Sequence, residues 1–179
     1  MVGEWMIYKS IYKTPKEYSD MIMYSDGEYL IGLRFEEAKN VNKQSVDAIE
    51  GNTQVFEDTK KWLDEYFKGN NPEFTPKYKI NNLTEFRQMV IDEMLKIPYG
   101  ETITYNDIAR EIAKRKNINK MSAQAVGGAV GWNPICLIIP CHRVIGTDGS
   151  LTGYGGGIEN KKALLEHEKN NWQNINIYI

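Results

Sequence analysis

TYNDIAREIAKRKNINKMSAQAVGGAVG, residues 104–131, is the stretch on which the fold turns. Thr104 is placed to cap a helix, with Asp107 three residues on, an arrangement related to the capping box. Ile108, Ala109 and Ile112 give residues 104–114 one apolar face. A basic turn follows, and Ser122–Gly131 reads as a second short helix made almost entirely of small residues. Helix, short connection, helix is the helix-turn-helix pattern. The small-residue helix suits two uses: a packing device that lets another element approach its backbone, or a helix that lies flat against nucleic acid.

The charge around this stretch bears on that choice. Net charge is −2 and the pI about 5.8, an unpromising balance for a nucleic-acid binder until the charges are located. Residues 1–80 hold 11 basic and 14 acidic side chains, and residues 81–179 hold 11 and 10. Arg110–Lys120 carries Arg110, Lys114, Arg115, Lys116 and Lys120 against Glu111 alone. Such a cluster is either a solvated face or a local anion-binding surface on an otherwise acidic protein.

The rest of the composition narrows the class. With 41% apolar and 26% charged residues the 179-residue chain is neither disordered nor collagenous. Its mean hydropathy is −0.52, and apolar runs such as Ile135–Pro140 fall far short of the roughly 20 residues of a membrane span. Residues 1–11 include Glu4 and Lys9 and do not read as a signal peptide. Cys136 and Cys141 are too few for a disulfide framework. Five residues apart in an expected extended segment, they are also too distant to bridge. A reduced, cytoplasmic protein without a membrane partner is expected.

Upstream, 6–12 alternates as a strand, and 21–24 and 29–35 are β-prone runs joined by Ser25-Asp26-Gly27-Glu28, a hairpin signal. Residues 36–52 read as loop or a poorly packed helix. Residues 54–68 form an amphipathic helix through Val55, Thr59, Trp62, Leu63, Tyr66 and Phe67, ended at Gly69. Residues 69–82, with Pro72 and Pro76, read as a linker, which puts a boundary near residue 83 and domains at 1–83 and 84–179. Thr84 then caps a helix with a Phe86, Val90, Met94, Ile97 stripe, stopped by Pro98 and Gly100.

Downstream, Asn133-Pro134 marks a turn, and Ile135–Ile139 reads as a buried strand that delivers Pro140-Cys141-His142-Arg143-Val144. An ordinary thiol is only a few per cent ionised at neutral pH, so a reactive Cys141 needs a base and nearby cations. His142 can be that base, and it needs an orienting acceptor, for which Glu166-His167-Glu168 is the nearest charged motif. Taken alone, Cys141-His142 also fits a buried structural cysteine beside a surface histidine, or a cysteine-hydrolase dyad. A zinc site from Cys136, Cys141, His142 and His167 would need unusual spacing.

The longer run decides between these. Pro140-Cys141-His142-Arg143-Val144-Ile145-Gly146 followed by Gly153-Tyr154-Gly155-Gly156-Gly157 closely resembles the acceptor-site signature of the O6-alkylguanine-DNA alkyltransferase (methylated-DNA–protein-cysteine methyltransferase) family. The similarity extends through Phe86-Arg87-Gln88, Ile97-Pro98-Tyr99-Gly100-Glu101, Thr104-Tyr105, Ala125-Val126-Gly127-Gly128-Ala129, Asn133-Pro134 and Leu164-Leu165-Glu166-His167-Glu168. It is strong over residues 84–168 and weaker in the amino-terminal half.

The resemblance implies an α+β fold: a small ribonuclease-H-like sheet-plus-helix domain followed by a winged-helix/helix-turn-helix domain. It implies direct reversal of DNA damage, with one alkyl group transferred from O6 of guanine, and by extension O4 of thymine, to Cys141. No metal or cofactor is implied. His142 would accept the thiol proton through a water, Glu168 would orient it, and Asn133 would brace the turn. Tyr105 would donate to the departing guanine. The partner is double-stranded DNA carrying O6-alkylguanine, bound by a monomer through the minor groove with the base flipped out. Gln124, Ala125, Gly127, Arg143, Val144, Tyr154 and Gly155 are the residues that the resemblance sets against DNA or base. Two departures stand out. Gln124 replaces an arginine common in relatives, and Cys136 replaces a proline found in some and is expected to serve packing. A non-enzymatic lesion-sensing protein of the same superfamily is the alternative, although such proteins lack the acceptor cysteine that Cys141 supplies.

Overall fold

A computed structural model describes residues 6–38, 47–151 and 154–176, with side chains as far as Asn171. The first half is a four-stranded sheet covered by one helix. Strands β1 (Ile7–Tyr12), β2 (Met21–Ser25), β3 (Leu30–Phe35) and β4 (Ala48–Glu50) lie in the order β3-β2-β1-β4. β1–β2 and β2–β3 are antiparallel, whereas β1–β4 is parallel. Register explains the core: Met21 opposes Phe35 and Met23 opposes Leu33, and all four are fully buried on one face. Each such side chain stabilises the fold by about 1.5–3 kcal/mol. The hairpin turns at Gly27, whose φ of 103° is left-handed, while Asp26 Oδ1 accepts the Glu28 and Tyr29 amides.

Two expectations for this half are corrected. The polar stretch 36–52 is not all loop or helix, because residues 48–50 form β4 beside β1; its residues 39–46 lie outside the described part. Hydrophobic alternation is too brief in three residues to announce a strand. Nor is 69–82 a free linker, because the Leu30 amide donates to Lys77 O and the Lys79 amide to Leu30 O, docking the segment on β3.

Helix α1 (Gln54–Phe67), capped by Thr53, buries Val55, Phe56, Thr59, Trp62, Leu63 and Tyr66. Helix α2 (Glu85–Leu95) is capped by Thr84. β5 (Ile103–Thr104) leads into α3 (Tyr105–Lys116), where the capping box between Thr104 and Asp107 is complete, and Asn117 closes the helix in the left-handed region. Helix α4 (Ala123–Gly131) is capped by Ser122 and packs on α2 and α3. β6 (Val144–Ile145) pairs parallel with β5, the only sheet of the second half among the described residues. Helix α5 (Ile158–Asn176) ends the described chain. No helix among the described residues is long and apolar enough to cross a membrane. One buried cluster runs through both halves, from Met21 and Phe35 to Ile139, Val144 and Leu164.

Candidate active site

The stretch 135–139 is not the strand its composition suggests. It bridges β3 only briefly: Leu33 N donates to Pro134 O at 2.8 Å, and Cys136 N donates to Leu33 O at 2.9 Å. The chain then reverses through Leu137 and Ile138, so that Ile139 comes back to bridge Cys136. Leu137 sits at φ 68°, a left-handed conformation that costs an ordinary side chain about 1–2 kcal/mol. Asn133 holds the reversal: its Nδ2 donates to Ile139 O at 2.8 Å and Ile135 O at 3.4 Å, and its Oδ1 accepts the Ile135 amide at 3.0 Å. The turn defeats the argument from spacing. Cys136 and Cys141 are free thiols, both buried, and both line the same cavity.

Cys141 opens a single 3-10 turn, Cys141–Arg143, that buries His142 and Arg143 behind it. Both point at Glu168 of α5. His142 Nε2 lies 2.6 Å from Glu168 Oε1, and Arg143 reaches the carboxylate through Nε at 2.9 Å and Nη2 at 3.0 Å. The Tyr66 hydroxyl of α1 and the Gly100 amide donate to the same group at 2.8 and 3.2 Å. Burial alone would raise the Glu168 carboxyl, but His142 and Arg143 outweigh it and hold it well below the usual carboxylate range. Burial lowers His142 against the opposing pull of Glu168. A neutral imidazole that donates from Nε2 to this carboxylate keeps its lone pair on Nδ1. That atom is buried and meets no protein partner among the described residues. The arrangement therefore presents an oriented base behind Cys141.

In front of the thiol stand Lys161, Tyr105 and Tyr154. The Lys161 ammonium is fully buried, donates to Val144 O at 2.6 Å, and lies 5.8 and 5.6 Å from the Tyr105 and Tyr154 ring centres. Burial pushes its pKa down to about 8, opposed by Cys141. Burial raises Tyr105, and negative charge on Cys141 adds to it. The Cys141 thiol is lowered, with the Cys136 hydrogen bond as the largest cause, against the penalty of burial; Asn133, Lys161 and Tyr154 assist. Cys141 is only 4% exposed and is reached from a cavity of about 730 Å³ lined by Cys136, Trp132, Arg34, Tyr154, Gly155 and Gly156 among others. Gly156 is required by close approach: a Cβ there would stand 2.7 Å from the Tyr154 ring and 2.9 Å from Phe35.

The remaining candidates divide. Gln124 and Ala125 lie on the exposed face of α4 with Gly128, where an added Cβ meets nothing within 4 Å. Gly127 turns toward Tyr105, 3.8 Å from where its Cβ would be. Arg143 is a correction. It does not face outward toward DNA but is spent on Glu168 and on Ile97 O at 2.8 Å, because a buried carboxylate needs a matching cation. The Val144 side chain is likewise buried, leaving its carbonyl as the group that faces Lys161. In the basic cluster, Arg110 pairs with Asp107, Lys114 with Glu111, and Arg115 with Asp92 and Glu93.

Sequence reasoning missed Tyr66 and Lys161. Lys161 left a trace, since with Leu164 and Glu168 it falls at helical spacing on the face that α5 buries. Tyr66 left none, because it reads as one more apolar position of α1.

Comparison with known proteins covers nearly the whole described chain. Residues 7–79 match the family of the 6-O-methylguanine DNA methyltransferase ribonuclease-like domain, and residues 85–170 match that of its DNA binding domain. The Haemophilus influenzae methylated-DNA–protein-cysteine methyltransferase is 36% identical over 166 residues, 91% of this chain and 87% of that one. The Mycobacterium tuberculosis enzyme of the same name is 50% identical over 107 residues; the matched stretch is 60% of this chain and 61% of the relative's own length. A crystal structure of the M. tuberculosis O6-methylguanine methyltransferase superposes with a TM-score of 0.78 at 37% identity, covering 93% of this chain and 94% of that one. The M. tuberculosis protein solved in complex with DNA gives 0.74 at 37% identity, covering 92% and 94%.

Proposed function

Since the chain belongs to the O6-methylguanine DNA methyltransferase family, we propose that it repairs DNA by moving one alkyl group from O6 of guanine, and from O4 of thymine, onto its own Cys141. The observation that carries this reading is the Cys141 thiol at the cavity wall, with the buried His142–Glu168 pair directly behind it.

The step is an in-line displacement. The Cys141 thiolate attacks the alkyl carbon, the C–S bond forms, and the C–O bond breaks with its electron pair returning to the base. His142 Nδ1 takes the thiol proton through a water, and Glu168 keeps the imidazole in the tautomer that can accept it. Tyr105 donates a hydrogen bond to the leaving guanine, so that the base need not depart as a full anion. The product is a stable thioether, and each molecule reacts once.

O6 is out of reach inside a duplex, so the base is flipped into the cavity at a cost of a few kcal/mol. Helix α4 lies in the minor groove, where Gln124, Ala125 and Gly128 let its backbone come close. Lys116 and Lys120, for which no carboxylate partner is found among the described residues, contact phosphates and position the protein without reading sequence. Tyr154 and Gly155 line the base pocket. Residues 1–83 act as scaffold and 84–179 as the DNA-binding, alkyl-accepting half. The protein works as a monomer in the cytoplasm, where thiols stay reduced.

Intact-mass spectrometry after mixing with a duplex carrying one O6-methylguanine tests this directly, with Cys141→Ala alongside. The expected result is a stoichiometric gain of one methylene's mass in the native protein alone. Tight lesion binding without any gain would instead favour a sensor.

A further inference from the structure

Cys136 is the second thiol at the site, and the displacement at Cys141 does not consume it. We propose that Cys136 is a positioning residue for the acceptor: its S–H donates to the Cys141 sulfur and stabilises the thiolate that forms when the thiol proton leaves for His142. The inference rests on the reading of Cys141 as the alkyl acceptor.

The geometry begins with the backbone. Cys136 is pinned through its amide to Leu33 O, and the strained Leu137 turn folds the chain back so that Cys136 pairs with Ile139, two residues before Cys141. Asn133 clamps both ends of that turn. A leucine is kept left-handed only where the surrounding structure over-determines it. The result is two buried thiols on one cavity wall, where Cys136 is the largest influence on the ionisation of Cys141.

Either sulfur of such a pair could carry the negative charge, and the surroundings choose. Facing Cys141 are the Lys161 ammonium, the Asn133 amide and the hydroxyl-bearing rings of Tyr154 and Tyr105. Facing Cys136 are Arg34 and Tyr154. His142, next in the chain, lies behind the thiol as the acceptor of its proton, with its basicity lowered by burial. The buried ammonium and the amide donor both favour the anion on Cys141. Cys136 is accordingly pushed up, most of all by its bond to Cys141 and then by burial, and remains the proton donor. When Cys141 becomes a thioether it is a far weaker acceptor, so the S–H···S bond supports the reactive state and not the product.

Iodoacetamide tests this without DNA, so a failure here is separate from a failure of the repair reading. Labelling of each cysteine is followed against pH by peptide mass spectrometry in the native protein, Cys136→Ser and Cys136→Ala, with thermal melts to check folding. In the native protein Cys141 is expected to label before Cys136, with a midpoint below the ordinary thiol value of about 8.5. Cys136→Ala should raise that midpoint by about one unit, a loss of about tenfold in rate on the acid side. Cys136→Ser, which keeps a donor, should recover most of it. Coincident profiles in all three proteins would overturn the proposal. So would prior labelling of Cys136 in the native protein, an outcome that needs no variant to fold.

Discussion

Glu168 accepts five hydrogen bonds in a fully buried position, from Tyr66, Gly100, His142 and twice from Arg143. A carboxylate so placed is held by its partners, and they by it. Glu168→Gln should leave the Arg143 guanidinium buried without its counter-charge and cost about 3–5 kcal/mol, read as a lowered melting temperature. Methyl transfer should slow as well, because an amide no longer holds the His142 tautomer. The pH dependence follows with a definite sign. The Glu168 carboxyl is depressed on folding, so its contribution is complete above its unfolded value of about 4.3 and is lost as pH falls toward the folded one. His142 is also lowered, so below about pH 6.5 the unfolded chain takes up the proton first. Melting temperature should therefore drop continuously from neutral pH into the acid range. A flat profile between about pH 7 and pH 5 would contradict a buried neutral His142.

At the scale of one element, α4 separates stability from binding. Gly128 faces open space in a helix interior, where glycine is about 0.8–1.0 kcal/mol worse than alanine. Gly128→Ala should raise the melting temperature. Gly128→Leu should fold equally well yet weaken duplex binding in fluorescence anisotropy, because its bulk holds the backbone off the groove. Equal affinity of Gly128→Leu and the native protein would remove α4 from the DNA interface. In α3, Thr104→Ala removes the capping hydroxyl and should cost about 1 kcal/mol. Both helices were legible in sequence, since caps and small-residue runs are local signals.

Across the whole molecule the two halves are stitched through the site itself. β3 supplies Leu33 to the Cys136 turn, α1 supplies Tyr66 to Glu168, and Ser19 and Tyr18 bond Asn160 and Ala163 of α5. His167, which could have been taken for a ligand, is turned to Tyr66 O at 2.8 Å. Tyr66→Phe should cost about 1.5–3 kcal/mol, the worth of a hydrogen bond to a charged group. Residues 84–179 produced alone should lose both alkyl transfer and a cooperative melt, because Ile135, Leu164 and the Glu168 hub lose their cover. Circular dichroism together with the intact-mass assay would check this, and a cooperative, active fragment would show the first half to be dispensable.

The sequence by itself determined what is written in local chemistry: the Thr104–Asp107 cap, the small-residue helix, the Gly27 hairpin, and the Cys141-His142 motif with its resemblance to a known acceptor site. Each depends on residues a few positions apart, where period, cap and turn preferences act directly. Only the tertiary structure decided the meaning of Arg143, which faces inward because a carboxylate 25 residues away needs its charge. The same holds for Lys161, buried between two tyrosine rings, and for residues 48–50, a strand only because β1 offers an edge. It holds most of all for Cys136. An apolar, β-branched run predicts an extended chain, but Asn133 and Leu33 take up the backbone hydrogen bonds on either side and force a reversal. Non-local partners outweigh local preference there, and two thiols that spacing would separate are brought to one cavity wall.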